Sequence, residues 1–364
     1  DAQTACGELP STPPPPELAG WLARMVAHGC SHAVVEVSSA ALASRHIAGL
    51  EFDAAVLTNV RRDHLDLHGN ATNYRRAKRR LFEHLKPGGF GVLNVDDSAS
   101  CRIARDLSVP LITIGMHGDG ELEARLLERC VSEQTFLMIA GEESVPVRTR
   151  TIGDEFIRCC LSAAAVGLVM GLDLMTIVRG LEAVEHVPGR LERLECGQPF
   201  GVFVDHAQTP NTLALSLRTM RQVTAGRVIC VYGSPQWQAS DQRAAIGSVA
   251  ERGADIGIIT SNDPGREAPL KIAHDILDGF RHPGRAHVIP DRAKAIQWAL
   301  GEARPGDTVL ITGKGDQSYQ LIGERAVPFE DRDVARCWLH GSQPRLEKVG
   351  TRATIPFRPP HEWN

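Results

Sequence analysis

The chain has 364 residues, a formal net charge of −4 and 43% hydrophobic residues. That length is enough for two or three domains with a sizeable core. The near balance of 40 basic and 44 acidic residues gives no reason to expect a surface for nucleic acid or anionic membranes. No stretch approaches the roughly 18 apolar residues of a membrane span, and the cysteines show no regular spacing, so we expect a cytoplasmic protein with reduced thiols. Because the sequence begins with Asp1 rather than Met, we expect a piece of a longer protein.

The first half of the chain alternates between apolar strands and helical patterns. A proline-rich opening comes first, and strands are then predicted at residues 32–39, 52–60, 90–94 and 109–114. A basic amphipathic helix is predicted at 74–85, and short antiparallel strands are predicted within 121–147. Apolar helices follow at 156–171 and 174–184.

A hinge is predicted at Val187-Pro188-Gly189-Arg190, after which the alternation restarts. Further strands are predicted at residues 201–205, 227–232, 256–261, 286–289 and 308–312. Short apolar strands that alternate with helices indicate a parallel sheet covered on both faces. We therefore predict an α/β protein with domains at 1–187 and 188–340 and a loose tail at 341–364.

Polar residues cluster where the first two predicted strands end, which is where ligands bind in parallel sheets. The first strand ends in Glu36-Val37-Ser38-Ser39, and Thr58-Asn59 leads into a loop that contains Asp63-His64-Leu65-Asp66-Leu67-His68-Gly69. Mg²⁺ prefers carboxylate oxygens, and phosphate prefers Arg or Lys. On residue types alone, a solvated loop with helix-capping acids is an equal alternative. Lys78, on the helix that follows, would by itself be an ordinary exposed lysine.

Three polar loops in the second half also follow predicted strands. Asp205-His206-Ala207-Gln208-Thr209-Pro210 opens a helix, and capping explains its Thr and Pro but not its Asp-His pair. The segments 261–267 and 313–317 each could be a plain turn. Because three such loops at the ends of parallel strands would meet in one crevice, together they favour a binding site.

These motifs, in this order and spacing, resemble the Mur ligase family, closest to its tripeptide-synthetase (MurE-type) branch. Glu36-Val37-Ser38-Ser39, the loop around His64, Tyr74-Arg75-Arg76-Ala77-Lys78 and Asn94-Val95-Asp96-Asp97 resemble the family's central domain, which has a P-loop-type parallel sheet. Pro188-Gly189-Arg190 and the three later loops resemble its Rossmann-like C-terminal domain. The resemblance runs from about residue 11 to residue 340.

The resemblance implies an ATP-dependent amide ligase of peptidoglycan precursor synthesis, acting through an acyl phosphate. Its substrates would be UDP-MurNAc-L-Ala-D-Glu and an amino acid, with ATP and Mg²⁺, and with no nucleic acid or membrane partner. Catalytic and metal-binding roles are implied for Glu36, His64 and Lys78, the last as a carbamate. Nucleotide contacts are implied for Asn94, Arg190 and Asp205. Substrate contacts are implied for Ser38, His46, Thr58, Asn59, Arg243, Asp263, Arg266, Gly313, Lys314 and Gln317.

Several positions depart from the family pattern. No G-x-x-x-x-G-K-[ST] phosphate-binding loop occurs in the sequence, so we expect the central domain to be truncated at its N-terminus, together with the loss of the UDP-binding domain. Two asparagines of the nucleotide-binding helix correspond to Ile157 and Cys160. The arginine of the family's Asp-Asn-Pro-Arg loop corresponds to Gly265, and the final acid of its Gly-Lys-Gly-His-Glu turn corresponds to Gln317. These changes predict weakened ATP binding and a rebuilt amino-acid pocket.

Two functions therefore stay open. The chain is either part of a working ligase with a changed amino-acid preference, or a catalytically impaired paralogue with a binding or regulatory role. Folylpolyglutamate synthetase shares the scaffold, but the details of the Glu36 and His64 motifs disfavour it. A phosphate-binding loop upstream of Asp1 would favour the first function.

Overall fold

The computed structural model describes residues 12–60, 65–118 and 120–341, with the backbone alone at Leu65 and Asp66. Its helices are α1 (Pro15–Ala27), α2 (Ser39–Ala43), α3 (Leu65–His68), α4 (Ala71–Arg79), α5 (Ser98–Arg105), α6 (Asp154–Val169), α7 (Leu174–Glu182), α8 (Pro210–Val223), α9 (Ser240–Gly253), α10 (Pro269–Leu277), α11 (Arg292–Glu302) and α12 (Asp331–Leu339), with 3₁₀ turns at Arg80–His84 and Pro283–Arg285. Its strands are β1 (Phe52–Leu57), β2 (Leu85–Asn94), β3 (Leu111–Gly115), β4 (Leu122–Arg129), β5 (Gln134–Ala140), β6 (Glu143–Thr149), β7 (Glu192–Arg193), β8 (Gly201–Asp205), β9 (Val228–Tyr232), β10 (Ile256–Ile259), β11 (His287–Val288), β12 (Thr308–Thr312), β13 (Tyr319–Ile322) and β14 (Arg325–Pro328).

The chain divides into two compact units. The first takes in most of the chain up to Ala183, and the second takes in most of the chain from Val184 on. The short segments Arg129–Gln134 and Thr149–Gly153 belong to the second unit. The change of unit at Val184 lies close to the hinge predicted at residues 187–190. Within the residues that the structure describes, no helix has the length and apolar character needed to cross a bilayer.

The first unit contains a six-stranded sheet in the order β1-β2-β3-β4-β5-β6. Strands β1 to β4 are parallel neighbours. Helix α6 packs on this sheet through Ile157, Leu161 and Ala164, which are all fully buried in its core. Their spacing of three to four residues places them on one helix face, so this apolar stripe explains the orientation of α6. The strands predicted within 121–147 are present as β4, β5 and β6.

The predicted strand at 32–39 is wrong, because residues 31–38 pair with no described strand. Val35 and Val37 still pack towards a small core around Leu18 and Ile47, as expected for alternating side chains. Val34, which points the other way, is 99% exposed. The side chains therefore alternate between core and solvent, but a strand also requires a hydrogen-bonded neighbour.

The basic helix predicted at 74–85 begins earlier and ends earlier than expected. Asn70 caps α4 by accepting a hydrogen bond from the Asn73 N–H, so the helix begins at Ala71. It tightens into a 3₁₀ turn after Arg79, and β2 begins at Leu85. The Lys86-Pro87-Gly88-Gly89 segment interrupts the β1–β2 register between Phe52 and Ala54 rather than forming a separate turn.

The second unit contains a six-stranded sheet in the order β11-β10-β9-β12-β8-β7. All neighbours are parallel except β7, which runs antiparallel to β8. The strands predicted at 201–205 and 308–312 are confirmed as β8 and β12. Apolar clusters cover both faces of the sheet, which explains why its central strands are fully buried. The β13–β14 hairpin was not predicted.

Candidate functional site

In the first unit, the Glu36-Val37-Ser38-Ser39 segment is held by one buried threonine. The Thr12 hydroxyl donates to the Glu36 carbonyl at 2.8 Å and accepts from the Ser38 N–H at 2.9 Å. The Ser38 hydroxyl then caps α2 by accepting from the Ala41 N–H. His46 lies nearby, with its Nδ1 3.4 Å from the Thr12 carbonyl. The side chain of Glu36 is exposed, so its carboxylate is open to a ligand.

A serine–histidine contact joins this segment to the end of α3, just before α4, and the sequence interpretation gave neither residue a role. The buried Ser39 hydroxyl lies 3.0 Å from Nε2 of His68. The His68 ring contacts Tyr74 edge-on at 5.2 Å between centroids, and the Lys78 Nζ lies 5.9 Å from the Tyr74 ring. The feature of the sequence that could have revealed this contact is His68, the second histidine of the loop motif. It brings the Glu36 segment and the Lys78 helix together.

The proposed metal ligands are only partly within the described chain. His64 lies outside the described residues, so the predicted convergence of Glu36, His64 and Lys78 stays a prediction. Among the residues that the structure describes, no group of three His, Cys, Asp or Glu side chains could hold a metal ion. An uncarbamylated Lys78 amine is a cation and therefore not a ligand for Mg²⁺.

The other predicted residues of the first unit lie at strand ends. Thr58 is exposed and Asn59 is half-buried directly after β1. Asn94 ends β2, is 4% exposed, and accepts through Oδ1 from the Asp96 N–H. The Asp96 carboxylate in turn pairs with the Arg158 guanidinium, with 3.1 Å between Oδ2 and Nε. Parallel strands β1 and β2 therefore present these polar residues at one sheet edge, as the sequence predicted.

Ile157 and Cys160, where two nucleotide-binding amides of the family are predicted to be lost, lie on the side of α6 that packs on the sheet. Ile157 is fully buried and Cys160 is partly buried against the core of the first unit. Burial also raises the pKa of the Cys160 thiol to about 12. Cys159, the exposed neighbour, lies on the open face of α6.

In the second unit, four loops lie at the carboxyl ends of parallel strands. They are the β8 loop (206–209), the β9 loop (233–239), the β10 loop (260–268) and the β12 loop (313–318). Gln208 donates to the Gly313 carbonyl at 2.7 Å, and Gln238 donates to the Gln208 carbonyl at 3.2 Å. The β10 loop is joined to the β12 loop by the Lys314 Nζ, which donates to Asp263 at 2.9 Å. The predicted convergence of these loops is therefore observed.

Asp205 is a structural anchor of this edge. Its carboxylate accepts from the N–H groups of Leu191 and Ala207 and from the Ser216 hydroxyl. It is 7% exposed, so little of it can reach a ligand. Arg190 is exposed, and its neighbour Gly189 lies so close to the β12 loop that a Cβ there would be 2.1 Å from the Asp316 nitrogen. The hinge motif thus packs against the predicted site.

Lys314 is fully buried in the β12 loop. Its Nζ donates to Asp263 at 2.9 Å and to Gln317 at 3.2 Å. Desolvation lowers the pKa of the Lys314 amine, while the Asp263 charge opposes that shift. Asp263 also accepts from the Leu321 N–H. Lys314, Asp263 and Gln317 are therefore brought together as predicted, but they bind one another.

Gly265 and Gln236 fit each other closely. A Cβ on Gly265 would lie 2.1 Å from the Gln236 amide carbon, and the Gly265 φ of +53° also disfavours other residues. The Gln236 Oε1 accepts from the Arg266 N–H, and the Arg266 guanidinium pairs with the exposed Glu324. In this conformation Arg266 does not take the place of a side chain at position 265.

Arg243 is 3% exposed and holds the β9 loop. It pairs with Glu267 and Asp275, each at 2.7 Å, and donates to the Gln236 carbonyl at 2.9 Å. This pairing lowers the pKa of Glu267 to about 2. The predicted substrate contact of Arg243 would require these bonds to open, whereas its observed contacts position Gln236.

Comparison with known proteins agrees with this architecture. Profiles of the Mur ligase middle domain and of the Mur ligase glutamate ligase domain match residues 4–167 and 189–315. A UDP-N-acetylmuramoyl-L-alanyl-D-glutamate--2,6-diaminopimelate ligase of Geobacillus kaustophilus is 38% identical over 86% of this chain and 65% of its own length. A UDP-N-acetylmuramyl-tripeptide synthetase of Roseiflexus is 36% identical over 90% of this chain and 68% of its own. This chain thus spans about two thirds of these relatives.

The fold comparison gives the same result. A solved structure of a UDP-N-acetylmuramoyl-L-alanyl-D-glutamate--2,6-diaminopimelate ligase superposes with a TM-score of 0.60 and 27% identity, covering 89% of this chain and 68% of that one. The chain belongs to the Mur ligase family, whose members are ATP-dependent amide ligases. Within that family it is most similar to the MurE type, and it contains the middle and C-terminal domains, as the sequence predicted.

Proposed function

We propose that this chain forms the middle and C-terminal part of a cytoplasmic ligase that adds an amino acid to UDP-MurNAc-L-Ala-D-Glu. The single observation that supports this most is the group of four cross-linked loops at one sheet edge, in a chain that matches both family profiles. The names of its relatives make diaminopimelate the first candidate for the amine. Their ligase names also fit a reaction that consumes ATP.

The proposed reaction has two steps. A carboxylate oxygen of the dipeptide attacks the γ-phosphorus of ATP, which releases ADP and gives an acyl phosphate. The amine of the amino acid then attacks the acyl carbon, loses a proton and expels phosphate to leave an amide. The protein mainly positions the two reactants, which can account for much of the rate of such a step.

The proposed reaction also includes a bound Mg²⁺ ion. Mg²⁺ would lower the charge repulsion between the carboxylate and the phosphates. The exposed Glu36 carboxylate suits such an ion, and His64 and carbamylated Lys78 would complete the set. In this chain, the Thr12 hydroxyl fixes the backbone on both sides of Val37 and so orients Glu36.

A catalytically impaired paralogue is the second candidate. Gln236 fills the space beside Gly265, and Lys314 and Arg243 are both held by internal carboxylates. A protein with these features could retain the fold to bind a partner or a precursor.

A chimaera separates the two candidates. The upstream segment of the Geobacillus kaustophilus relative is joined to this chain and incubated with ATP, Mg²⁺, UDP-MurNAc-dipeptide and an amino acid. The ligase proposal predicts phosphate release that depends on both substrates and a product heavier by one amino-acid residue. A folded chimaera without turnover, beside an active parent enzyme, would favour the paralogue.

A further inference from the structure

A buried ion pair lies directly behind the loops of the second unit. Arg292, the first residue of α11, meets Asp331, the first residue of α12. The guanidinium donates from Nε and Nη2 to the two carboxylate oxygens, each at 2.7 Å. Both side chains are 0% exposed. Burying two charges is costly unless their remaining donors are also satisfied.

The remaining donors of Arg292 reach two strand ends. Its Nη2 donates to the Thr312 carbonyl at 2.7 Å, and its Nη1 donates to the Ser261 carbonyl at 3.3 Å. Thr312 is the last residue of β12, and Ser261 lies in the β10 loop. Because β9 lies between β10 and β12 in the sheet, one guanidinium spans the width of a strand.

The two loops carry the Asp263–Lys314 contact. Asp263 follows Ser261 by two residues, and Lys314 follows Thr312 by two residues. The residue between each pair is held tightly, since a Cβ on Gly313 would lie 2.7 Å from the Asn262 amide nitrogen. A change in the distance between the Ser261 and Thr312 carbonyls would therefore also move Asp263 and Lys314 relative to each other.

We propose that Arg292, held by Asp331, is a positioning residue that sets the spacing of the β10 and β12 loops. This inference rests on the proposed function for its purpose, because those loops would receive the incoming amino acid. The proposal itself concerns only the conformation of the two loops, so it can be tested without measuring ligase activity. Failure of the ligase assay would leave the test unaffected.

The test compares amide hydrogen exchange in four forms of the complete chain. Arg292→Lys keeps the charge beside Asp331 but loses the planar fork that reaches two carbonyls. Arg292→Met with Asp331→Leu removes both buried charges, a change that often preserves the fold. Arg227→Lys is the matched control, because Arg227 pairs with Asp307 at 2.8 Å at the opposite ends of β9 and β12.

Both Arg292 variants should exchange about tenfold faster or more in residues 260–268 and 312–322, with β8 and β9 unchanged. Arg227→Lys should leave those two segments at the wild-type rate. Lysine NMR gives a second readout in Arg292→Lys, which retains the local charges of Asp263 and Asp331. The lowered pKa of Lys314 should rise as water enters the loosened loops. Unchanged exchange in both segments, or a uniform increase across the second unit, would overturn the proposal.

Discussion

At the scale of single residues, the site consists largely of charges that pair internally. Lys314 with Asp263 and Arg292 with Asp331 are buried pairs, and the buried Arg243 pairs with the half-buried Glu267 and Asp275. The sequence indicated that Asp263 and Lys314 come together, since both follow strands of one predicted sheet, but it gave no sign of the Arg292–Asp331 pair. It also did not indicate that Asp263 and Lys314 satisfy one another, because side-chain pairing depends on loop conformation and burial.

The Asp263→Asn variant tests the buried Lys314 pair. Removing one partner of such a pair leaves an uncompensated charge and costs about 3–5 kcal/mol. Because burial lowers the pKa of Lys314, the unfolded chain binds the extra proton more readily, so stability should rise with pH up to the ordinary pKa of 10.5. The Asp263→Asn penalty should thus be largest near neutral pH and shrink towards pH 10.

Urea unfolding between pH 7 and pH 10 measures this effect. Asp53→Asn is the control, because Asp53 and Lys86 form an exposed pair and its loss should leave stability unchanged. A penalty for Asp263→Asn that is absent, or that grows with pH, would show that the Lys314 charge is not held by Asp263.

Gly265 leads to a prediction about amino-acid selectivity. A site that hydrogen-bonds a charged group discriminates strongly for it, and a site without that partner does not. Gly265 has no side chain, and Gln236 blocks its replacement. In the chimaera, diaminopimelate should therefore be used with no clear preference over lysine or neutral amino acids. An amino-acid panel that follows phosphate release measures this, and a strong preference for meso-diaminopimelate would contradict it.

At the scale of elements, the sequence predicted strands best where they are central. Gly201–Asp205 and Thr308–Thr312 were predicted to the residue because both are continuous apolar runs with polar ends. The segment 32–39 is also an apolar run with a polar end but has no described neighbour to pair with, so the sequence pattern alone predicted a strand that is not formed. The β13–β14 hairpin was missed because its strands are short and exposed. The Glu36 segment is held by the buried Thr12 hydroxyl and not by a neighbouring strand.

The Thr12→Val variant tests that hydroxyl. Valine has nearly the same shape, so the change removes two hydrogen bonds without creating a cavity. It leaves the Glu36 carbonyl and the Ser38 N–H without their partner, which costs about 1–3 kcal/mol. We expect faster amide exchange in residues 36–42 and a lower melting temperature, both largely restored by Thr12→Ser. Wild-type exchange in Thr12→Val would show that another contact holds the segment.

At the scale of the whole molecule, family membership was predictable because the motifs recur in order across both halves of the chain. The division into two units was also anticipated from the change of pattern near residue 187. The assignment of the short segments Arg129–Gln134 and Thr149–Gly153 to the second unit was not predicted, because it depends on long-range packing. Residues 4–167 match the Mur ligase middle domain and residues 189–315 match the Mur ligase glutamate ligase domain, and no phosphate-binding-loop motif occurs within the 364 residues.

The absence of this motif from the 364 residues predicts a low affinity of the chain for nucleotide. A phosphate-binding loop supplies several N–H donors and a lysine to the nucleotide, and this chain has no such motif. The 364-residue chain should therefore bind Mg-ATP more weakly than the low micromolar range. Calorimetry with Mg-ATP measures this, with the parent relative of the chimaera as the positive control. Low-micromolar binding by this chain alone would show that its other residues suffice.

The central claim is that this scaffold supports amide ligation through an acyl phosphate. The most direct measurement follows oxygen in the chimaera, with ¹⁸O placed in the reacting carboxylate of UDP-MurNAc-L-Ala-D-Glu. The carboxylate oxygen that attacks the γ-phosphorus becomes the bridging oxygen and leaves with phosphate when the amine attacks the carbon. We predict one ¹⁸O in each phosphate released and one retained in the amide. Product formation with unlabelled phosphate would contradict the mechanism, and a folded chimaera that forms no product would contradict the claim of ligase activity.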